Sequence, residues 1–382
     1  MKILLIGVSA RGMAESAVKS GYSVIALDAF GDLDLQGLCE SHALLRDFGI
    51  PYSVKGLYQA SRRLRFDAIA YTSNLENYPE VVQRIARRHD LLGNPAEALR
   101  RVRDSSLLFR LLGDAGFEVP ETIFQVNGRR ATPERRWLNK PIRSGGGHRV
   151  SFAKPGGSPK RGFILQEFIP GLPCSASFVA NGQQAVVLGV SEQLVGVPEF
   201  GGQGFHYCGN IIPLAAVEDS QYGPAILEQV GQIANLLPRT FGLVGVNGFD
   251  FILKDDRVFL TEVNPRYSAS MELIERAYSL PVFDLHVQAV TQKNLPEFNP
   301  IQSAKTHPPR FYGKAILYAE KDALTPDTDR WLQAETRDIP HPNERIPSGK
   351  PVCTLFADSS TREACFSKLA ARVEAIKGEI YA

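Results

Sequence analysis

The segment Gly248–Arg266 constrains this chain more than any other. It reads as an apolar strand, Gly248-Phe249-Asp250-Phe251-Ile252-Leu253, then a Lys254-Asp255-Asp256-Arg257 turn, then a second strand from Val258 to Asn264 that ends at Pro265-Arg266. Glu262 and Asn264 stand two positions apart, so both point to one face of their strand, together with Val258 and Leu260. A carboxylate and an amide at the end of an apolar face are costly unless something pairs with them. A hard divalent cation bridging nucleotide phosphates would do so, because Mg²⁺ takes oxygen ligands from one or two carboxylates plus phosphates. Asp250 joins that face only if it stands opposite Glu262. That register demands an extra residue, and the expected place for it is a bulge at Asp255–Arg257. The competing reading is a surface hairpin with scattered polar side chains.

Length and charge narrow the field. The 382 residues leave room for two or three domains, and 44% apolar with 22% charged residues is an ordinary globular composition. A net charge of +2 makes no field that would argue for nucleic acid. The arginine clusters at 62–65, 84–88 and 129–136 read as solvated faces, whereas Arg101 and Arg103 are candidates for a phosphate. The five cysteines are far apart and form no C-x-x-C pair, which speaks against a zinc site or a disulfide framework. The chain opens directly on a strand-like run, Lys2 to Gly7, with no leader or anchor pattern. A cytoplasmic protein without a membrane partner is therefore expected.

Residues 1–95 alternate strand and helix signals, which predicts a parallel sheet covered on both faces. Gly7 and Gly12 flank a strand-to-helix turn that lacks the full dinucleotide fingerprint. With Arg11 it is expected to aim helix amides at an anionic substrate. Residues 97–113 read as one charged, Leu-rich helix. Next come a strand ending in Asn139-Lys140-Pro141, a loop Ser144-Gly145-Gly146-Gly147-His148-Arg149, and an apolar strand from Phe163 that stops at Pro170-Gly171. Residues 292–310 look like a linker, followed by short strands and a helix from Thr361. Three units are expected: 1–96, 97–298 with a lid lobe at about 120–168, and a small β-rich unit at 299–382. The fold class is α/β with an α+β centre.

Three features stand in a chemically meaningful order. Glycines let backbone amides close over phosphates while Lys140 supplies a point charge. A strand that breaks at Pro-Gly leaves backbone groups unpaired, able to read a base edge. The carboxylates hold a metal. That order, Lys140 with Gly145–Gly147, then Gln166-Glu167-Phe168-Ile169-Pro170-Gly171, then Asp250 with Glu262-x-Asn264-Pro265-Arg266, resembles the ATP-grasp superfamily, and within it the biotin-carboxylase-like carboxylate–amine ligases. Leu75-Glu76-Asn77-Tyr78-Pro79 and Lys350-Pro351-Val352-Cys353-Thr354 extend the resemblance toward both ends, to an N-terminal doubly wound domain and a small C-terminal one.

The resemblance implies a role for each motif. Lys140 contacts ATP phosphates, and Ser144, Gly145, Gly146 and Gly147 form a phosphate lid. Gln166, Glu167, Phe168 and Ile169 lie at the adenine hinge. Asp250, Glu262 and Asn264 bind Mg²⁺ (or Mn²⁺), and Arg266 stabilises the transferring phosphoryl group. Two positions depart from the pattern. Ser105 stands where relatives often carry a lysine on the α-phosphate, a role Arg101 or Arg103 would assume, and Pro173 stands in place of an acidic ribose ligand. The implied reaction is ATP-dependent activation of a small carboxylic acid as an acyl phosphate and its transfer to an amine, a chemistry that some relatives use for amino-acid ligation in coenzyme biosynthesis. Bicarbonate activation of the carboxylase type and a non-catalytic nucleotide-binding regulator are the rival readings. The implied partners are ATP, the acid and the amine, and a homodimer is the default assembly. His148, His206, Asp28, Glu76 and Asn77 remain open between structural and substrate roles.

Overall fold

Apolar runs separated by amphipathic helices in the N-terminal part build an all-parallel sheet. In the computed structural model, which describes residues 1–125, 129–218, 223–300 and 310–382, its strands are β1 (Lys2–Ile6), β2 (Ser23–Asp28), β3 (Glu40–Ala43), β4 (Ala68–Tyr71) and β5 (Asp90–Leu91), in the order β3-β2-β1-β4-β5. Alternate residues serve opposite cores. Ile3 and Leu5 pack on one face with Val24, Ala26, Ala68 and Ala70, while Leu4 and Ile6 pack on the other with Ile25, Leu27 and Ile69.

A small antiparallel sheet lies in the segment expected as a lid lobe, built from β6 (Thr122–Ile123), β7 (Trp137–Pro141), β8 (Ser151–Phe152) and β9 (Phe163–Glu167), in the order β6-β9-β7-β8. The large sheet is also antiparallel. It contains β10 (Leu172–Asn181), β11 (Ala185–Val195), β12 (Tyr207–Ile212), β13 (Val244–Lys254), β14 (Arg257–Asn264) and β15 (Phe311–Tyr318). Beyond these come β16 (Ala323–Leu324), β17 (Thr336–Arg337), β18 (Arg345–Ile346) and β19 (Pro351–Ser359), with β16 and β18 forming a separate pair. The order across the large sheet is β14-β13-β10-β11-β12-β15-β19-β17. The C-terminal strands thus continue the central sheet, through Gly209–Ile212 paired with Tyr312–Ala315. Residues 301–309 of the expected linker lie outside the described residues. No helix among the described residues is long and apolar enough to cross a membrane.

Helix Gly223–Phe241 covers one face of the central sheet, burying Ile226, Val230, Ile233 and Leu237 against Phe178, Phe249, Phe251 and Leu260. The opposite face carries Asp250 and is approached by Lys140 of the small sheet. The expected single helix at 97–113 is two helices, Ala96–Val102 and Ser105–Asp114. The break has a cause in the sequence: Asp104 caps the second helix, its carboxylate accepting from the N–H groups of Ser106 and Leu107.

The reading of Arg11 as an anion-binding group is overturned. Its guanidinium is 1% exposed and lies among the chain's own carboxylates, with Glu15 at 2.9 Å, Asp338 at 3.0 Å and Glu272 at 2.5 Å. The start of helix Arg11–Lys19 is also taken, because the Ala10 N–H donates to Asp28 Oδ2 at 2.9 Å. Asp28 is the anion that this helix terminus binds.

Candidate active site

The β13–β14 hairpin is built by two local devices. Asp255 and Asp256 adopt φ of 48° and 60°, giving the two-residue turn whose twist matches the flanking strands. Pairing then runs without a slip from Lys254↔Arg257 to Phe251↔Leu260 and resumes one residue later at Asp250↔Glu262. The bulge is therefore at Thr261, not at Asp255–Arg257. The extra residue is held by the Thr261 hydroxyl, which donates to the Asp250 carbonyl at 3.1 Å.

The bulge also corrects the expected face. Because side chains alternate along a strand, one inserted residue inverts everything beyond it. Val258, Leu260 and Val263 consequently share one core, while Glu262 and Asn264 turn to the other face beside Asp250. Val258 and Leu260 are not their neighbours. One residue thus satisfies two demands: the core keeps its apolar side chains, and the cleft receives its polar ones.

Asp250 accepts from Asn264 Nδ2 and from Gln193 Nε2, each at 3.0 Å. Burial, reinforced by the neighbouring Glu262 charge, pushes its carboxyl up to about 6. Burial works on Glu262 in the same direction, but Arg103 and then Lys140 outweigh it and hold that carboxyl below its usual range. Arg103 Nη1 lies 2.7 Å from Glu262 Oε1, and Lys140 Nζ lies 3.9 Å from Oε2. Lys140 is itself pulled below its ordinary value by burial, which the attraction of Glu262 and Asp250 offsets only in part.

The three cations arrive from three elements. Lys140 comes from β7 and donates to Gln166 Oε1 at 3.1 Å and to the Thr261 carbonyl at 3.3 Å. Arg103 sits at the break between the two helices and also donates to the Val263 carbonyl (3.1 Å) and to Asn77 Oδ1 (2.8 Å). Arg101 does not enter the site; it donates to the Thr240 carbonyl and lies over the Phe241 ring. Arg266 donates to Glu76 Oε1 at 2.9 Å, Asn264 Oδ1 at 3.1 Å and the Tyr267 carbonyl at 3.1 Å. Of the N-terminal candidates, Glu76 and Asn77 therefore join the site, whereas Asp28 does not.

The residues expected at the hinge divide by direction. Gln166 is buried and faces Lys140, while Glu167 turns away to Arg135 (3.0 Å) and the Glu121 N–H (3.3 Å). The Phe168 N–H donates to the Arg136 carbonyl at 2.8 Å, and Ile169 follows where the strand ends. In the glycine loop the Ser144 hydroxyl donates to the His148 carbonyl at 3.0 Å. Gly146 and Gly147 have φ of 61° and 72°, and a side chain on Gly147 would overlap the Phe205 carbonyl. The Tyr207 N–H donates to the Gly146 carbonyl at 3.1 Å, and the His148 and His206 rings stand 5.2 Å apart. The stretch Gly201–Tyr207 is thus the surface on which the glycine loop rests.

Gln193, Asn94, Asn247 and His286 belong to the site's framework without any motif to announce them. Asn94 donates to Asn247 Oδ1 (2.7 Å) and the Pro265 carbonyl (3.0 Å), fastening the N-terminal unit to the hairpin. Among the described residues, Glu76 Oε2, Asn77 Nδ2, Arg103 Nε and Gln166 Nε2 are buried here without a hydrogen-bond partner. Such a concentration is unusual in a finished interior and marks room for a ligand or ordered water. The donor set of two carboxylates and an amide carbonyl, with like charges facing each other, fits a hard divalent cation.

Residues 102–270 match the ATP-grasp domain family. The whole chain has the ATP-grasp fold. It is similar to an uncharacterised protein of Methanocaldococcus jannaschii, 22% identical over 385 residues, which span 95% of this chain and 89% of that one. Among solved structures it resembles N5-carboxyaminoimidazole ribonucleotide synthetase from Thermus thermophilus, with a TM-score of 0.65, 18% identity and 98% of each chain covered. L-amino acid ligase from Bacillus licheniformis is similar too, with a TM-score of 0.66, 15% identity and 98% of each chain covered.

Proposed function

We propose that this chain is an ATP- and Mg²⁺-dependent ligase that activates a small carboxylic acid as an acyl phosphate and joins it to an amine. The observation that carries the reading is the half-buried Asp250–Glu262 pair set against Lys140, Arg103 and Arg266 beneath the lid lobe. The names of the two similar structures, a synthetase and an amino-acid ligase, support the same class of chemistry.

In this reading Lys140 and the amides of Gly145–Gly147 bind the nucleotide phosphates. Asp250, Glu262 and Asn264 would hold Mg²⁺, which supplies charge neutralisation on the phosphates. A carboxylate oxygen of the acid attacks the γ-phosphorus, and the bond to the bridging oxygen breaks, leaving with ADP. The amine lone pair then attacks the acyl carbon, phosphate leaves with the C–O bonding pair, and the amine gives up a proton. Arg266 is placed to stabilise charge on the phosphoryl group as it moves, and positioning with electrostatics carries most of the rate. Glu76, paired to Arg266 through Oε1, keeps Oε2 unpaired and so can accept an N–H of the incoming amine.

The test is Mg²⁺-dependent ADP release with a panel of carboxylic acids, amino acids and bicarbonate, each with and without amines. One acid is expected to stimulate release, and Glu262→Gln to abolish it, since a neutral amide loses the charge that opposes Arg103 and Lys140. Release that no acid stimulates, or that survives in Glu262→Gln, refutes the ligase reading.

A further inference from the structure

The arginine clusters at 62–65 and 84–88 read in the sequence as separate solvated faces, but the fold joins them. Helix Val54–Ser61 leads into β4 and helix Pro79–Ala86 leads into β5, and these strands are parallel neighbours paired at Ala68↔Asp90. Both helices therefore end at the same edge of the sheet. Two contacts fix the junction. The Phe66 and His89 rings stack with centroids 4.0 Å apart, and the Asp90 N–H donates to the Asp67 carbonyl at 3.2 Å. Arg62, Arg63 and Arg65 thus stand beside Arg84, Arg87 and Arg88, and all six are exposed. Glu76 and Asn77 follow the other end of β4, so this patch lies across the sheet from the candidate active site.

The six guanidiniums keep their donors free. Among the described residues none of them makes an ion pair or a side-chain hydrogen bond, and Arg63 only lies over the Phe48 ring, at 5.8 Å. Elsewhere the exposed Arg129, Arg135, Arg330 and Arg345 each meet a carboxylate of the chain. One basic side chain at each helix end would complement the macrodipole. Three at each of two adjacent ends repel one another, since neighbouring helix axes lie about 8–10 Å apart, roughly one screening length at physiological salt. Asp67 and Asp90 supply carboxylates at the starts of the two strands, and Asp67 already accepts the Lys2 N–H at 2.7 Å.

An anionic partner is the complement of such a patch. Arginine presents planar, bidentate donors that suit carboxylates and phosphates alike, so extent decides between them. The chain has 43 basic and 41 acidic residues, and the surface beyond these six arginines and two aspartates is therefore slightly acidic. A duplex or a membrane would run past the patch onto that repelling surface, whereas a short acidic segment meets the patch alone. Between the arginines Leu64 is half-buried, Phe66 is buried and the His89 ring is taken by Phe66. That leaves no apolar wedge for a lipid layer and no free ring to stack on a base. We infer that the six arginines form a docking surface for an acidic segment of a partner polypeptide, held through its carboxylates. The surface is independent of the ligase reading, since no residue of the candidate site belongs to it.

The experiment is fluorescence anisotropy of the full chain with a labelled oligoglutamate peptide at low salt. Saturable binding is expected, weakening about tenfold between low and physiological salt as screening requires. Arg62→Glu with Arg65→Glu, and Arg87→Glu with Arg88→Glu, are each expected to weaken it about tenfold. Arg330→Glu with Arg345→Glu changes the net charge by the same amount elsewhere on the surface and is expected to change the affinity by less than about twofold. Circular dichroism establishes that each variant is folded. Absence of binding at low salt overturns the inference, as does a loss in the Arg330/Arg345 variant equal to that in the patch variants. Tighter binding of a labelled RNA duplex or of phosphatidylserine vesicles than of the peptide overturns it too and assigns the patch to phosphates.

Discussion

Acidification is expected to loosen the joint at His286. This imidazole is 3% exposed and connects three elements. Its Nδ1 accepts the Val246 N–H of β13 at 2.9 Å, which leaves the proton on Nε2, 3.0 Å from the Leu92 carbonyl of the N-terminal unit. A proton on Nδ1 would face the Val246 N–H directly. Burial lowers the group to about 4, against which the Leu92 hydrogen bond works only weakly. The folded state therefore binds the proton later than the unfolded chain, whose histidine titrates near 6.5. Stability is complete above about 6.5, falls as pH drops toward 4, and loses nothing further from this group below that. The slope is about 1.4 kcal/mol per pH unit, so the window costs about 3 kcal/mol. Urea unfolding from pH 7.5 to 4, of wild type against His286→Gln, isolates the effect, because other titrating groups appear in both proteins. Asp28, Asp250 and Glu275, each raised to about 6 with burial as the leading cause, push the opposite way in both. The wild-type advantage is expected to shrink by about 3 kcal/mol across the window. A difference that stays constant with pH refutes the reasoning.

Gly245 faces that same imidazole at φ 68°, and a methyl group there would press into His286 Nδ1. Gly245→Ala is expected to cost about 1–3 kcal/mol through backbone strain and overpacking, visible as a lowered Tm, and an unchanged Tm would sink that account. Deleting Thr261 removes the bulge and would send Glu262 and Asn264 to the core face, so the deletion is expected to yield no folded protein by circular dichroism. Thr261→Ala keeps the register and is expected to lose only about 1 kcal/mol in urea unfolding, the worth of one hydrogen bond. A soluble, cooperatively folding deletion variant would show that the bulge does not set the face.

Much of the site was legible because its chemistry is written locally. Asp250, Glu262 and Asn264 occur within one hairpin, and a short-range register argument demands that the first two meet. The location of the extra residue was not legible. Two aspartates in the turn looked like the irregular point, yet they form a regular two-residue loop, and the threonine hydroxyl at 261 accommodates the insertion instead. The apolar period continues through 97–113, which hid the break at Arg103, although Asp104 was a visible capping signal. Gln193 reaches Asp250 only because β11, β10 and β13 are neighbours. Such long-range pairing leaves no trace in the local pattern, and the same holds for the union of the C-terminal strands with the central sheet. Arg11 misled for another reason: a turn that suits an anion gives no sign that the anion is the protein's own Asp28.

That union has a consequence for the chain as a piece of architecture. β12 gives one of its two edges to β15, so the ribbon that begins at the β13–β14 hairpin runs without a seam into the C-terminal strands. Removal of the C-terminal strands would leave the backbone of Gly209–Ile212 unpaired on that edge and ready to template on another molecule. Evolution can exchange such a C-terminal unit only for one that brings a strand to fill the same slot. The small sheet of β6 to β9 shares no strand pairing with this ribbon and carries no such constraint.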